Sequence, residues 1–193
     1  MNAWPALQTL LYDGWILRLA NGYTKRANCV NPLYGSTGKV EEKIRACERL
    51  YRHHGLPVVF KMTSSVSPAH LDEILVERGY RRDSPTSVQT LDLAGFDRPS
   101  SDGSAIDEAL SEDWLGDFFR MSQTHECHKP TLRHMLGNNF PRRGFASLRQ
   151  DGRAIACGMG VVEDGYLGLF DLVTDSGLRN LSYGNQLLFD VFG

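Results

Sequence analysis

The segment from residue 145 to the end of the chain constrains the fold more than any other part of the sequence. Three apolar runs, FASLRQ, RAIACGMGVVE and YLGLFDLVT, follow one another there, separated by Asp151-Gly152 and Asp164-Gly165. An Asp-Gly pair between two apolar runs is typical of the tight turn of a β-hairpin. The segment therefore predicts three consecutive antiparallel strands. A helix is predicted to follow from about Ser182, with an apolar face made of Leu187, Leu188, Val191 and Phe192.

A short polar loop, from Arg179 to Gly184, joins the last of these strands to the helix. The start of a helix offers unpaired backbone N–H groups and the positive end of the helix dipole, which suit an anion such as phosphate. Small residues let the backbone approach that anion closely. A plain helix start, with Asn180 or Ser182 as the capping side chain, explains the same residues. The loop alone leaves both interpretations open.

The order of elements around this loop resembles the GNAT N-acetyltransferase superfamily. Arg179-Asn180-Leu181-Ser182-Tyr183-Gly184 is similar to that family's Q/R-x-x-G-x-G/A loop, and two predicted helices followed by the three strands are similar to its opening order. The resemblance covers about residues 105–193. It implies acetyl-CoA as co-substrate, with strand main chain on the pantetheine arm and loop amides on the pyrophosphate. The implied binding residues are Leu172, Val173, Thr174, Arg179, Asn180, Leu181, Ser182, Tyr183, Gly184 and Asn185.

Two features depart from the family pattern. Ser182 stands where the family has a central Gly, which costs roughly 1–2 kcal/mol if that residue needs a positive φ. Several charge-assisted N–H bonds to phosphate, at about 1.5–3 kcal/mol each, outweigh this cost. The sequence also ends inside the helix after the loop. We therefore expect a C-terminally truncated second repeat, without the segment that usually supplies a Tyr or Ser as general acid.

The first 93 residues carry a second set of strand and helix patterns. Strands are predicted at 15–20, 25–34, 56–63 and 86–93, and helices at 38–55 and 67–79. The run HLDEILVERGYRRDSPTSVQTLDL is similar to the closing segment of a GNAT domain. The loop YGSTGKV, however, matches the cofactor-loop pattern poorly and also fails as a Walker loop.

These similarities imply a tandem protein of the α/β class with a mixed α+β sheet. We expect a degenerate GNAT-like half without its own cofactor at 1–93, a linker at 94–105 and a truncated N-acetyltransferase domain at 106–193.

Composition and charge argue against nucleic-acid and membrane partners and indicate a location for the protein. A formal net charge of -2 does not favour nucleic-acid binding. The longest apolar runs, such as LPVVF, are too short to cross a bilayer. Cys29, Cys47, Cys127 and Cys157 have neither CxxC nor disulfide-like spacing, and the N-terminus lacks a secretory signal pattern. These features predict a cytoplasmic protein.

No residue is recognisable as the catalytic base. The reaction needs a neutral amine, so a carboxylate or an ordered water must accept its proton. Some GNAT relatives carry a Glu on the strand before the loop, but that position is Gly168 here; Asp171 and Glu163 lie nearby in the sequence. The catalytic residues are therefore unknown.

The stretch THECHKP brings His125, Cys127 and His128 together and raises the question of a metal site. A structural zinc site needs a fourth ligand, and none stands at a suitable spacing. We expect a loop between two helices near the acceptor pocket, and no metal.

The leading hypothesis is an acetyl-CoA-dependent N-acetyltransferase that acts on a primary amine of a small molecule or peptide. The alternative is a catalytically incompetent CoA-binding or protein-interaction module, and a metal-binding module at His125, Cys127 and His128 ranks third. The acceptor stays open, because acceptor pockets in the family are built from variable loops. An apolar strand at 166–173 left at a sheet edge predicts a homodimer contact.

Overall fold

Two-residue turns shape the strand pairs in the computed structural model, which describes residues 1–95, 103–137 and 141–192. Asp13-Gly14, Asp151-Gly152 and Asp164-Gly165 each have two positive φ angles, between 42° and 82°. Two successive positive φ angles give the type I′ turn, whose twist matches that of antiparallel strands. The two predicted hairpins are thereby confirmed. The hairpin at Asp13-Gly14 is one that the sequence analysis did not predict.

The chain divides into two units, one formed by Ala6–Gln89 and the other by Met1–Pro5 together with Thr90–Gly193. Most of the linker predicted at 94–105 falls on residues 96–102, which lie outside the described residues. The interpretation of the chain as two GNAT-like halves stays a prediction.

The unit Ala6–Gln89 is a small antiparallel sheet with two helices. Its strands, in sheet order, are β1 (Gln8–Tyr12), β2 (Trp15–Leu19) and β3 (Val30–Pro32), and its helices are α1 (Val40–His53) and α2 (Leu71–Glu77). The helices pack against β2 and β3 around a buried cluster of Trp15, Leu17, Leu19, Val30, Ile44, Cys47, Tyr51, Leu71 and Leu75. Both predicted helices are confirmed, although each begins later than predicted.

Three of the strands predicted in the first 93 residues are shorter or missing. The strand predicted at 25–34 shrinks to β3, because the Asn28 side chain accepts the Ala20 N–H at 2.7 Å and donates to Tyr23 O at 2.8 Å, which holds a loop there. In 56–63 only Phe60 forms a bridge, parallel to Val30. Residues 86–93 form no strand and are exposed throughout. An alternating pattern forms a strand only beside a partner strand, and 86–93 has none among the described residues.

The unit that contains the predicted cofactor loop has a four-stranded antiparallel sheet in the order β4-β5-β6-β7. Its strands are β4 (Ser104–Asp107), β5 (Arg142–Gln150), β6 (Arg153–Glu163) and β7 (Tyr166–Thr174), and its helices are α3 (Glu112–Ser122), α4 (Lys129–Gly137) and α5 (Tyr183–Val191). The predicted three strands and final helix are confirmed, and so is the mixed α+β class. In the parts of the chain that the structure describes, no helix is long and apolar enough to cross a membrane.

Helices cover both faces of this second sheet. Phe145 packs edge-on against Trp114 of α3, with ring centroids 5.0 Å apart, whereas its neighbour Ala146 belongs to a buried cluster with Leu187 of α5. Successive side chains of a strand point to opposite faces, so α3 and α5 lie on opposite sides. Gly160 leaves room for α5, since a Cβ there would come within 2.8 Å of Val191 Cγ1. Packing against the sheet therefore fixes the position of α5, including its N-terminal end, which follows the predicted loop.

Candidate functional site

A β-bulge interrupts β7 shortly before the loop. Met159 pairs with Phe170 and Cys157 pairs with Val173, so β7 has one residue more than β6 between these two pairs. Asp171 lies in that interval with a φ of 53°. A bulge leaves its extra residue outside the ladder and bends the strand. The bend therefore falls immediately before the residues predicted to contact pantetheine.

Leu172, Val173 and Thr174 are the last residues of β7, which is the edge strand of the described sheet. Val173 pairs with Cys157 of β6, and no strand among the described residues pairs with the other side of β7. An edge strand presents the backbone groups that point away from its neighbour to any extended partner. Leu172 lies over Gly158, where a Cβ would come within 2.4 Å of Leu172 Cδ2. The predicted pantetheine residues thus offer an accessible strand edge.

The loop between β7 and α5 carries backbone N–H groups that form no hydrogen bond with the described part of the chain. The hydrogen bonds on either side of it run from the Leu178 N–H to Asp175 O, at 2.9 Å, and from the Gln186 N–H to Ser182 O, at 3.0 Å. Within the described residues, the N–H groups of residues 179–185 have no hydrogen-bond acceptor. Those in the first turn of α5 lack one because a helix start provides none. The loop can therefore donate several hydrogen bonds to a ligand.

Two residues of this loop have left-handed backbone conformations. Asn180 has a φ of 65° and Ser182 a φ of 64°. Asn visits this region readily, but Ser does so at a cost of roughly 1–2 kcal/mol. The family's central Gly thus corresponds here to a residue that does have a positive φ. Ser182 is the N-cap residue of α5, but its side chain accepts no hydrogen bond from the helix, so the described contacts do not support a helix start capped by this side chain.

Two side chains anchor the loop to the core. Leu178 and Tyr183 pack against the buried cluster under α5. Between them the loop is open to solvent, and its exposed residues are Arg179, Asn180, Leu181 and Ser182. The predicted pyrophosphate residues therefore form one accessible surface with fixed ends.

Asp175 ties the end of β7 to this loop. Its N–H donates to Ile155 O at 2.9 Å, and its carboxylate accepts the Gly177 N–H at 3.2 Å and pairs with Arg120 and Arg153 at 2.9 Å each. The Gly177 N–H, followed by the two guanidinium groups, holds the pKa of Asp175 below its usual value. The sequence analysis missed Asp175. Its position in T-D-S-G directly after a strand is an Asx-turn signal that could have identified it.

None of the residues that the structure describes is recognisable as a catalytic base. Gly168 has no side chain to act as a base, and a Cβ there would come within 2.8 Å of the Phe170 ring, which a larger residue would have to displace. Glu163 accepts a hydrogen bond from the Asn2 side chain. Asp171 is partly buried at the bulge. The catalytic residues stay unassigned.

The structure does not group His125, Cys127 and His128 as possible metal ligands. The His125 Nδ1 accepts the Cys127 N–H at 3.2 Å and so caps a short 3-10 turn at Glu126–His128. Within the described ranges, no three His, Cys, Asp or Glu side chains are grouped so as to hold a metal ion.

Comparison with known proteins gives a family match over the first part of the chain. Residues 1–124 match the family described as "Probable histone acetyltransferase Rv0428c C-terminal". The match spans the unit Ala6–Gln89 and reaches past β4 and α3, but ends before β5 and the predicted cofactor loop.

Two further proteins resemble nearly the whole chain. A Bacillus subtilis (strain 168) protein described as "Uncharacterized N-acetyltransferase YobR" is 28% identical over 192 residues, which cover 96% of this chain and 76% of that protein. A GCN5-related N-acetyltransferase from Kribbella flavida has a similar fold, with a TM-score of 0.68, 13% identity and coverage of 96% of this chain and 73% of that one. The two resemblances, which each cover 96% of the chain, extend into the region of the edge strand, loop and helix described above, whereas the family match ends before it. The chain belongs to the family described as "Probable histone acetyltransferase Rv0428c C-terminal", and its fold is similar to that of a GCN5-related N-acetyltransferase.

Proposed function

We propose that this chain transfers the acetyl group of acetyl-CoA to a primary amine. The observation that carries the proposal is the run of N–H groups at residues 179–185, which have no acceptor among the described residues and lead into α5. Backbone N–H groups at a helix N-terminus, together with the helix dipole, bind phosphate oxygens. The accessible edge of β7 at Leu172, Val173 and Thr174 precedes this loop in the chain and suits an extended amide-containing arm.

The chain's own residues contribute binding and orientation. Bound acetyl-CoA supplies an acetyl thioester. In the transfer, the amine nitrogen forms a bond to the acetyl carbon, the carbon–sulfur bond breaks, and the proton lost by the amine balances the one taken up by the thiolate. Holding the two reactants together accounts for a large part of such a rate enhancement.

An open cleft of about 320 Å³ beside the turn between β6 and β7 is our candidate for the acceptor side. It is lined by Ala3, Val161, Glu163, Asp164, Tyr166 and Gly168. The carboxylates of Glu163 and Asp164 favour the approach of a cation, and most primary amines are protonated at neutral pH. Because the family description names a histone acetyltransferase, the lysine side chain of a basic peptide is the first acceptor class to test.

Calorimetry and a thiol-release assay test the proposal directly. Acetyl-CoA is expected to bind at one site per chain, and ADP, which carries a pyrophosphate, is expected to compete. Free thiol should appear with lysine peptides or small amines. Absence of acetyl-CoA binding contradicts the proposal, whereas binding without thiol release for any amine supports a CoA-binding module instead. Light scattering on the same samples tests the predicted homodimer contact at the edge of β7.

A further inference from the structure

The guanidinium of Arg120 joins α3 to the start of the cofactor loop. Its Nη1 lies 2.9 Å from Asp175 Oδ2, and its Nη2 lies 3.0 Å from Asp117 Oδ1 and donates to Ala154 O at 2.7 Å. These contacts come from α3, from β6 and from the residue that follows β7. A side chain held from three sides has little freedom to leave Asp175.

Asp175 passes this restraint to the turn that begins the loop. One of its carboxylate oxygens faces Arg120 and the other accepts the Gly177 N–H at 3.2 Å. Its backbone donates to Ile155 O and accepts from the Leu178 N–H, both at 2.9 Å. Residues 179–185 begin directly after Leu178. The direction of their N–H groups therefore depends on this turn.

The pair between Arg120 and Asp175 is better shielded from solvent than the pair between Arg153 and Asp175. The Asp175 side chain is 18% exposed and that of Arg120 is 35% exposed. Arg153 also reaches Asp175, but its side chain is 66% exposed. Isolated exposed ion pairs contribute little, whereas networks with good geometry contribute more. Of the two arginines on Asp175, Arg120 is the stronger restraint.

We propose that Arg120 is a positioning residue for the cofactor loop, and that it acts through Asp175 to orient the N–H groups of residues 179–185 before the cofactor binds. The effect on cofactor affinity rests on the proposed function, whereas the effect on the loop concerns the ligand-free protein. A direct contact between Arg120 and a phosphate would change cofactor affinity in the opposite direction. In that case Asp175→Asn would free the guanidinium groups and strengthen cofactor binding. If Arg120 instead positions the loop through Asp175, the same substitution must weaken cofactor binding.

Hydrogen exchange in the ligand-free full chain tests the structural part. Arg149→Gln is the control for Arg120→Gln, because Arg149 pairs with the same Asp117 at 3.1 Å but does not contact Asp175. We expect the amides of Gly177 and Leu178 to exchange about tenfold faster in Arg120→Gln and to stay within about twofold of wild type in Arg149→Gln. Equal acceleration in both variants, or none in either, overturns the proposal whether or not the chain binds a cofactor.

Calorimetry with acetyl-CoA tests the functional part. Arg120→Gln and Asp175→Asn are each expected to weaken acetyl-CoA binding by about tenfold. The double variant should lose no more than either single variant, because both substitutions break the same ion pair. Asn at 175 can still accept the Gly177 N–H, so the turn itself is retained. In turnover the KM for acetyl-CoA should rise while kcat stays within about twofold. Additive losses, or tighter binding in Asp175→Asn, contradict positioning.

The two experiments separate the two ideas. If wild type does not bind acetyl-CoA but exchange accelerates only in Arg120→Gln, the proposed function fails and Arg120 still orients the loop. If wild type binds acetyl-CoA and Arg120→Gln changes neither exchange nor affinity, the proposed function stands and the positioning role is wrong.

Discussion

Each unit has a polar, glycine-containing loop immediately before a helix, and the two loops use their backbone N–H groups in different ways. In the loop before α1, the N–H groups of Thr37 and Gly38 donate to the Asp13 carboxylate at 2.9 Å each, and the Thr37 hydroxyl contacts it at 2.9 Å. In the loop before α5, the N–H groups of residues 179–185 have no acceptor among the described residues. The first loop is closed by an anion of the protein itself, and the second is open to an external one.

Lys43 completes the closed loop. Its Nζ donates to Asp13 O, lies 3.5 Å from Asp13 Oδ2 and stands 4.1 Å from the ring centroid of Trp15. The N–H groups of Thr37 and Gly38 hold the pKa of Asp13 well below its usual value. A depressed pKa means that the carboxylate's contribution to stability persists above the unfolded pKa and is lost only as pH falls towards the folded one. An external phosphate would have to displace this carboxylate, so glycines before a helix do not by themselves make a phosphate site.

The largest effect expected from this difference is on acetyl-CoA affinity. Ser182→Glu places a carboxylate among the open N–H groups and should weaken binding at least about 100-fold, which corresponds to about 2.7 kcal/mol. Ser36→Glu makes the same change at an exposed position of the closed loop and should leave affinity within about twofold, measured by calorimetry. Comparable losses in both variants would show that the first loop also takes part in binding.

A second prediction concerns the stability of the closed loop. The Lys43 side chain is 2% exposed, so Lys43→Ala removes its stacking on Trp15 and leaves Asp13 without its cation. We expect the free energy of unfolding in urea to fall by about 3 kcal/mol. Lys43→Met keeps most of the packing and should cost less. Acetyl-CoA affinity of the folded protein should not change, and a loss of binding in Lys43→Met would contradict the assignment of the cofactor to the other loop.

Local patterns were enough to predict the strands, loop and helix start of the candidate site, which lie within one stretch of chain. Two Asp-Gly turns identified the strands that became β5, β6 and β7, and the polar residues after them identified the loop and the start of α5. Such turns need only adjacent residues with positive φ, and these are readable in sequence. The same signal at Asp13-Gly14 indicates β1, but the fully exposed strand there lacks the apolar alternation that would have supported it.

Features that depend on residues far apart in the chain could not be predicted. The network under the loop joins α3, the β5–β6 hairpin and the end of β7, and its members are Asp117, Arg120, Arg149, Arg153 and Asp175. Nothing in their spacing shows that they meet. The bulge at Asp171 is a shift in the pairing between β7 and β6, which is not visible in the sequence of β7 alone. The strand predicted at 86–93 was also wrong because of a long-range feature: among the described residues no other strand pairs with this segment.

A smaller effect, on the stability of the folded protein, is expected when the strained residue of the open loop, Ser182, is replaced by Gly. Because Ser182 has a φ of 64°, Ser182→Gly should stabilise the folded protein by about 0.5–1 kcal/mol, part of the gain being offset by the greater freedom of Gly when unfolded. Affinity for acetyl-CoA should stay within about twofold. Asn180→Gly is the control and should gain less, because Asn tolerates its φ of 65°. Tenfold tighter binding with unchanged stability would mean instead that the loop adopts this conformation only when occupied.

The smallest effect is expected at Gly184, in the first turn of α5. A Cβ there would lie 3.6 Å from Thr174 Oγ1, an ordinary contact distance, and Gly184 is not among the described glycines with positive φ. Gly184→Ala should therefore change acetyl-CoA affinity by less than about twofold and leave stability equal or slightly higher, since Ala favours a helix over Gly by up to about 1 kcal/mol. Gly38 is the matched position of the closed loop, where a Cβ would come within 3.2 Å of Asp13 Oδ2. The added methyl group of Gly38→Ala would displace the Asp13 carboxylate, so this variant should lower the stability of the folded protein and leave its affinity for acetyl-CoA unchanged. A large loss of affinity in Gly184→Ala would show that the pyrophosphate approaches the backbone at Gly184 too closely for any side chain, and the position would then require Gly.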